Sequence, residues 1–442
     1  MRNIVIIGNG ISGITCARNI RKLSDDNITV ISAETKHFYS RTALMYVYMG
    51  HMKYENIKPY EDWFWEKNRI NLVQNFVQKI DSNNKQLFFS DGTTINYDVL
   101  VLATGSQTSK FGWPGQDLIG VQGLYNLQDL KSMEANTKNI HHAVIVGGGL
   151  IGVEMAEMLH SRGIHLTFLV REKYFWNNVL PMEDAMLVGN HIAKHGIEFL
   201  YETELKEIRA DENGRVKEIE TTQGKIIKCQ FVGLTTGVKP NISFVQGSGI
   251  NTDKGIMINE YFETNVSNIY AIGDCAQFEK PLPGRKPIEQ VWYTGRMHGE
   301  TLARTICGSK TFYKPSVWFN SAKFFNLEYQ TYGVVMPTPQ ENEISFFWQH
   351  PQKDIAIRFV YDKNTQRCIA VNSYGIRLRH EYFDKWLKEE KSISYVLQNL
   401  SKANFDPEFF SHYEHLIIAA FTKQTNIAVV APRKKMFALF NL

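Results

Sequence analysis

Two short glycine runs carry the clearest chemistry in the sequence: Gly8-Asn9-Gly10-Ile11-Ser12-Gly13 and Gly147-Gly148-Gly149-Leu150-Ile151-Gly152. Each follows four apolar residues, Ile4 to Ile7 and Ala143 to Val146. The first leads into Ile14, Ala17, Ile20 and Leu23 at helical spacing. A strand that turns tightly into a helix leaves the helix's first N–H groups and its positive dipole end facing an anion. The first glycine of each run permits the turn, the second lets a pyrophosphate reach the backbone, and the third lets helix and strand pack closely. The pattern predicts two dinucleotide-binding units. Glu34 lies 24 positions after Gly10, beyond a second apolar strand, Ile28 to Ile31, about where a carboxylate meets an adenosine ribose.

The elements around these motifs repeat. Downstream of the first turn come an alternating run (Gln86 to Phe89), a turn at Asp91-Gly92, and an apolar strand from Val99 that closes on Ala103-Thr104-Gly105. Downstream of the second come Val216 to Thr221, Gln223-Gly224, and Phe231 to Thr236-Gly237. Asp91 to Gln223 and Thr104 to Thr236 are both 132 positions, whereas Gly8 to Gly147 is 139. The chain therefore reads as duplicated, with about seven extra residues in the first copy, expected within His37 to Lys58. A third motif, Ile269-Tyr270-Ala271-Ile272-Gly273-Asp274, ends a strand on a carboxylate that can accept hydrogen bonds from ligand hydroxyls.

Composition bounds the rest. The 442 residues are 43% apolar and 21% charged, an ordinary globular balance of about three domains. Lys plus Arg at 49 against Asp plus Glu at 45 gives +4, too small an excess for nucleic acid as the main partner. The five cysteines are scattered and form no C-x-x-C pair, which argues against a disulfide framework or a thiolate metal site and fits a reducing compartment. The 13 histidines form no metal-binding pattern either, so no metal is expected. No secretory signal is visible and no apolar run reaches about 18 residues. The expectation is a soluble, cytoplasmic protein without integral membrane association.

Taken in order, G-x-G-x-x-G, A-T-G, G-x-G-x-x-G-x-E, T-G-x-x-P-N and A-I-G-D resemble the FAD-dependent pyridine nucleotide-disulfide oxidoreductases over about residues 1 to 310. The resemblance implies an α/β chain with two Rossmann-like dinucleotide-binding domains, the FAD domain (1–115 and 246–310) interrupted by an NAD(P)H domain (116–245). Residues 311–442 would form a C-terminal α+β interface domain of the kind that often pairs subunits, so a homodimer is an open expectation. FAD would contact Gly8, Gly10, Ile11, Ser12, Gly13, Glu34, Arg41, Ala103, Thr104, Gly105, Gly273 and Asp274, with Trp292 lining the flavin. NAD(P)H would lie on Gly147, Gly149, Gly152, Arg171 and Gly237.

Glu34 to Leu44 contains no cysteine, so the disulfide mechanism of many relatives lacks its thiol. Glu34, Tyr39, Arg41 and Leu44 instead resemble the E-x-x-x-P-Y-x-R-x-x-L pattern of rubredoxin and ferredoxin reductases and of the flavin module of nitrite reductases. That subgroup usually supplies a lysine to pair with the acid after the second glycine motif. Glu154 is present here, but Tyr46 stands at the lysine position, leaving Arg41 or Lys53 as the nearest candidates in sequence. Glu154 and Arg41 are the expected catalytic residues. Arg171, at the end of the strand Leu166 to Val170, favours a 2′-phosphate and hence NADPH, with Glu172 beside it keeping NADH open.

Beyond residue 310, alternating runs at Ile344 to Trp348 and Ile355 to Tyr361 predict a small sheet, followed by helices over 381–400 and 408–421. The expected activity is transfer of hydride from NADPH or NADH to FAD and then of electrons to a ferredoxin- or rubredoxin-type carrier or a small oxidant. Two alternatives stand beside it: a membrane-surface NAD(P)H:quinone reductase, suggested by the basic tail Arg433-Lys434-Lys435, and a flavoprotein redox sensor or scaffold.

Overall fold

Apolar residues at every position of Ile4 to Ile7 and Ala143 to Val146 suit strands covered on both faces. The computed structural model, which describes residues 1–405 and 411–430, makes them the central strands of two parallel five-stranded sheets. The strands are β1 (Asn3–Ile7), β2 (Asn27–Ser32), β3 (Ile70–Gln74), β4 (Val99–Leu102), β5 (Val121–Gln122), β6 (His142–Val146), β7 (His165–Val170), β8 (Glu198–Tyr201), β9 (Phe231–Leu234) and β10 (Ile269–Ala271). The first sheet runs β10-β4-β1-β2-β3 and the second β8-β7-β6-β9-β5. Parallel neighbours need a crossover. Here α1 (Ile11–Leu23) joins β1 to β2, α3 (Leu150–His160) joins β6 to β7, and α2 (Leu127–Asn136) joins β5 to β6. Ile4, Ile6, Val144 and Ile145 are fully buried, each worth roughly 1.5–3 kcal/mol of apolar transfer.

The duplication is visible in the fold. Each copy inserts a three-stranded antiparallel sheet before its last central strand: Val77–Asp81, Gln86–Phe89 and Thr94–Asn96 before β4, and Leu205–Ala210, Val216–Thr221 and Ile226–Lys228 before β9. The copies differ in the next connection. Between β2 and β3 the chain folds short helices at Leu44–Tyr48 and Trp63–Lys67, whereas between β7 and β8 it folds α4 (Met182–Ala193).

Two compact units result: Met1–Arg171 with Gly196–Pro315, and Glu172–His195 with Ser316–Leu442. The first holds both glycine turns and α5 (Trp292–Ile306). The second is built on an antiparallel sheet of β11 (Phe319–Phe324), β12 (Leu327–Tyr332), β13 (Glu343–Gln349), β14 (Ala356–Asp362) and β15 (Cys368–Tyr374), ordered β11-β12-β15-β14-β13. Helix α4 belongs to this unit although it falls within 116–245. Its Asp184 is fully buried, pairs with Arg358 of β14 at 2.6 Å and accepts hydrogen bonds from Asn372 and Tyr374 of β15 at 3.1 and 2.9 Å. A buried carboxylate needs that many partners.

The single helix expected over 381–400 is two, α6 (His380–Lys388) and α7 (Ile393–Gln398). Glu390 takes a left-handed φ of 50°, and the Ser392 hydroxyl accepts the Tyr395 N–H at 3.2 Å, starting a new helix. The next helix, α8, spans Glu414–Thr425; residues 408–410 of the expected segment lie outside the described residues, as does the basic tail at 433–435. No helix among the described residues is long and apolar enough to cross a membrane.

Candidate functional site

The first glycine turn is built by close approach. Gly8 has φ +112°, and a Cβ there would lie 2.0 Å from the Ala103 carbonyl oxygen; one at Gly13 would lie 2.0 Å from that of Gly8. At Gly10, by contrast, a Cβ would meet nothing within 4 Å, so the backbone is open to a ligand. Gly10 also caps α1 without a side-chain hydrogen bond, and the first turn, with Ile11 and Ser12, carries no acid. The N–H groups there are left for an anion.

A second helix start converges on the same place. Helix α5 opens at Trp292 with no side-chain cap and no acidic residue in its first turn. A Cβ at Gly295 would lie 2.6 Å from Ser12 Oγ, and one at Gly273 would lie 2.4 Å from the same atom. Small residues thus let α1, α5 and the Gly273-Asp274 turn close on one another, bringing two positive dipole ends together. Trp292 is half-buried and packs edge-on against Tyr293, ring centres 5.4 Å apart.

Polar contacts link the expected acids. Asp274 Oδ2 accepts from the Ser106 hydroxyl at 3.2 Å and the Tyr125 phenol at 3.4 Å, while Oδ1 takes no hydrogen bond from the described residues and remains an open acceptor. Burial pushes the Asp274 carboxyl up, opposed by Ser106, Arg41 and Tyr125. Gln290 donates to Ser106 Oγ at 2.9 Å, and the Ser106 N–H donates to Tyr125 Oη at 2.8 Å. From the other side of Tyr125, the Arg41 guanidinium donates to its carbonyl at 2.6 Å and lies over its ring at 4.6 Å. Arg41 also pairs with Glu34 at 2.7 Å. Glu34 accepts further from the Tyr39 hydroxyl and from the Leu127 N–H at 2.9 Å. The Glu34 carboxylate, read from sequence as a ribose acceptor, is thus largely engaged by the protein, and Arg41 balances Glu34 rather than Glu154.

Tyr125, Ser106 and Gln290 were not singled out in the sequence, nor was Asn9, whose buried amide donates to the Thr35 carbonyl at 2.7 Å. One signal was available for Tyr125. Asn126-x-x-Asp129 is a capping box at the start of α2, and Asp129 also accepts the Tyr125 N–H at 2.8 Å. That box fixes the residue just before the helix. Thr104 and Gly105 lie at the end of β4, where the Thr104 hydroxyl donates to the Asn241 carbonyl at 2.7 Å.

The second turn repeats the geometry with fewer partners. A Cβ at Gly147 would lie 2.8 Å from the Thr235 carbonyl oxygen and one at Gly152 2.5 Å from that of Gly147, whereas Gly149 is open to 4 Å. Gly149 caps α3 with no side-chain hydrogen bond and no acid follows in the first turn. Beside it, Thr236 Oγ1 is buried without a partner, next to Gly237 with φ +106°. Such an orphaned hydroxyl suits a polar ligand. Arg171 is exposed just past β7. Glu154 is half-buried on α3 and makes no ion pair with any described residue; burial, and then Glu157, push its carboxyl up to about 7. Tyr46, at the position where a lysine was anticipated, stacks on His51 at 6.3 Å.

All five cysteines are free, and four are buried. Burial raises the Cys275 thiol, so the thiol closest in sequence to Asp274 is kept in its unreactive form.

The family model described as pyridine nucleotide-disulphide oxidoreductase matches residues 2–299. The chain is 30% identical over 352 residues to a nitrite reductase [NAD(P)H] of Bacillus subtilis, covering 78% of this chain and 42% of that protein. It therefore spans about two fifths of the length of that relative. Against an NADH-rubredoxin oxidoreductase of Clostridium acetobutylicum it is 28% identical over 402 residues, 90% of this chain and 99% of the relative. The fold is that of a ferredoxin reductase from Rhodopseudomonas palustris, with a TM-score of 0.78 at 22% identity over 85% of this chain and 91% of that one. The glycine turns, the duplicated sheets and these matches agree: the chain belongs to the pyridine nucleotide-disulphide oxidoreductase family.

Proposed function

We propose that the chain is an FAD-dependent NAD(P)H oxidoreductase that uses no redox-active disulfide. The observation that carries this reading is the convergence of two uncapped helix starts, at Gly10 and Trp292, on a turn whose Asp274 keeps one carboxylate oxygen open. The residues present suit FAD. Gly8, Gly10, Ile11, Ser12 and Gly13 would hold its pyrophosphate, Ala103 to Gly105 and Gly273-Asp274 its ribityl chain, and the start of α5 with Trp292 its ring system. Glu34, oriented by Arg41 and Tyr39, would border the adenosine end. Gly147, Gly149, Gly152, Thr236 and Gly237 would take the nicotinamide dinucleotide, with Arg171 favouring NADPH over NADH. We read 1–115 with 246–310 as the FAD part, 116–245 without α4 as the NAD(P)H part, and 311–442 together with α4 as an interface domain.

Bound FAD would supply the redox chemistry, taking hydride from NAD(P)H and giving up electrons to an acceptor. The protein's part is placement and charge. The dipole ends of α1 and α5 favour negative charge where they meet. Asp274 Oδ1 accepts from a ligand hydroxyl, while Ser106 and Tyr125 hold the carboxylate in one orientation. Glu154, poised near neutrality, holds a proton on α3 with no lysine to neutralise it. For the acceptor we propose a small electron-carrier protein, on the strength of the match along nearly the whole length of the NADH-rubredoxin oxidoreductase.

The test is an anaerobic titration of the purified protein with NADPH and with NADH, following flavin absorbance near roughly 450 nm. Bleaching by either nucleotide is expected, faster with NADPH. A protein without flavin, or a flavin that neither nucleotide reduces, overturns the reading.

A further inference from the structure

His298 lies on α5, 1% exposed, and is walled in by the rings of Phe262, Phe278 and Tyr313 at 4.8, 5.7 and 4.6 Å. A buried imidazole is costly unless its nitrogens find partners. Nδ1 stands 3.1 Å from the Gly273 nitrogen, and since that N–H donates, Nδ1 accepts. The ring proton therefore sits on Nε2, which faces Glu289 Oε2 at 3.7 Å, an electrostatic contact longer than a hydrogen bond. Glu289 is itself buried. Its Oε2 accepts from the Tyr313 hydroxyl at 2.9 Å, and Arg285 stands 3.5 Å from Oε1. Burial, only partly offset by Glu289, keeps His298 below the ordinary imidazole range, in the neutral form that an accepting Nδ1 requires.

None of these four side chains belongs to a glycine motif, yet together they end on the peptide N–H that precedes Asp274. That peptide is confined on its other side by Ser12, only 2.4 Å from where a Gly273 Cβ would stand. We propose that His298 is a positioning residue for the cofactor: by accepting the Gly273 N–H, with its Nε2 proton turned toward Glu289, it locks the turn that aims Asp274 at the ribityl hydroxyls. It touches no cofactor atom itself and acts through Asp274. The inference rests on the FAD reading above.

The experiment measures the first-order rate of FAD release from the purified holoprotein, by recovery of flavin fluorescence, for wild type, His298→Gln and His298→Met. Glutamine and methionine match in length, but only glutamine offers an oxygen to the Gly273 N–H and an amide N–H to Glu289. His298→Met is expected to release FAD about ten-fold faster than wild type, the worth of one buried hydrogen bond, and His298→Gln to stay within about two-fold of wild type. Equal rates for methionine and wild type, or for glutamine and methionine, overturn the inference and leave the FAD reading intact. A wild-type protein that holds no FAD overturns both. Should His298→Met not fold, Tyr313→Phe, which removes one donor from Glu289, is read instead: release about two- to three-fold faster is expected, and a rate equal to wild type overturns the inference.

Discussion

The two glycine turns are near copies in backbone, and they differ in what surrounds them. At the first, the acids are tied down: Glu34 by Arg41, Tyr39 and the Leu127 N–H, and Asp274 by Ser106 and Tyr125. At the second, Glu154 makes no ion pair with a described residue and Thr236 Oγ1 is buried without a partner. Binding is tighter where ordering has been completed before the ligand arrives. A pocket whose acids are already held in one orientation, with Asp274 Oδ1 left open, suits an occupant that stays. One with polar groups still waiting suits a ligand that enters and leaves with each turnover.

The sharpest way to break this comparison is the pair Gly10→Ala and Gly149→Ala. Neither Cβ meets protein within 4 Å, so both variants are expected to fold as wild type. Gly10→Ala should lose its flavin on desalting, with affinity lowered about 100-fold if the new methyl costs about 3 kcal/mol against the ligand. Gly149→Ala should keep its flavin and fail to be reduced at ordinary NAD(P)H concentrations. If both variants lose flavin alike, the division into resident and exchanging sites is wrong.

Next in size is the pH dependence of stability around Glu154. A carboxyl raised to about 7 binds its proton more tightly in the folded state than in the unfolded chain. Stability from this group is therefore complete below the ordinary glutamate range and lost as pH climbs toward 7. Urea unfolding of Glu154→Gln should match wild type at about pH 4 and exceed it by about 2 kcal/mol at about pH 8. The parallel variant Glu34→Gln should be less stable than wild type at both, by about 1–3 kcal/mol, because Arg41 loses its counter-charge. Identical pH profiles for the two variants would erase the distinction between the sites.

The smallest expected effect is at Arg171. Arg171→Gln should reduce the preference for NADPH over NADH about five-fold, read as the ratio of kcat/KM values, the loss of one exposed charge contact to a 2′-phosphate. An unchanged ratio removes Arg171 from the nucleotide site.

Much of this was legible in the residues. Ile4 to Ile7 and Ala143 to Val146 have no polar alternation and so announce buried parallel strands, and Gly8, Gly13, Gly147 and Gly152 stand where no Cβ fits. The Gly273-Asp274 turn was legible as well, because a strand leads straight into it. The contacts of that turn were not. Ser106, Tyr125 and His298 reach it from separate parts of the chain, and pairings made across 149 or 168 positions leave no local periodicity to read. Arg41 was found but its partner was not, since Glu34 and Glu154 are equally plausible counter-charges until the chain is folded. The helix break near Glu390 escaped because the polar run there fits one exposed helix face as well as it fits a turn.

The buried Asp184 has a consequence for how the chain is made. Its counter-charge, Arg358, lies 174 positions further on. During synthesis α4 leaves the ribosome long before β14 and β15 exist, with a carboxylate that cannot be desolvated alone. Closing so long a loop is slow, so the strands on either side of α4 emerge while the helix between them still has nowhere to dock. A fragment beginning at residue 316 would carry the reciprocal defect, a buried arginine lacking the acids of α4. The second unit is thus not a module that can be cut away from the end of the chain.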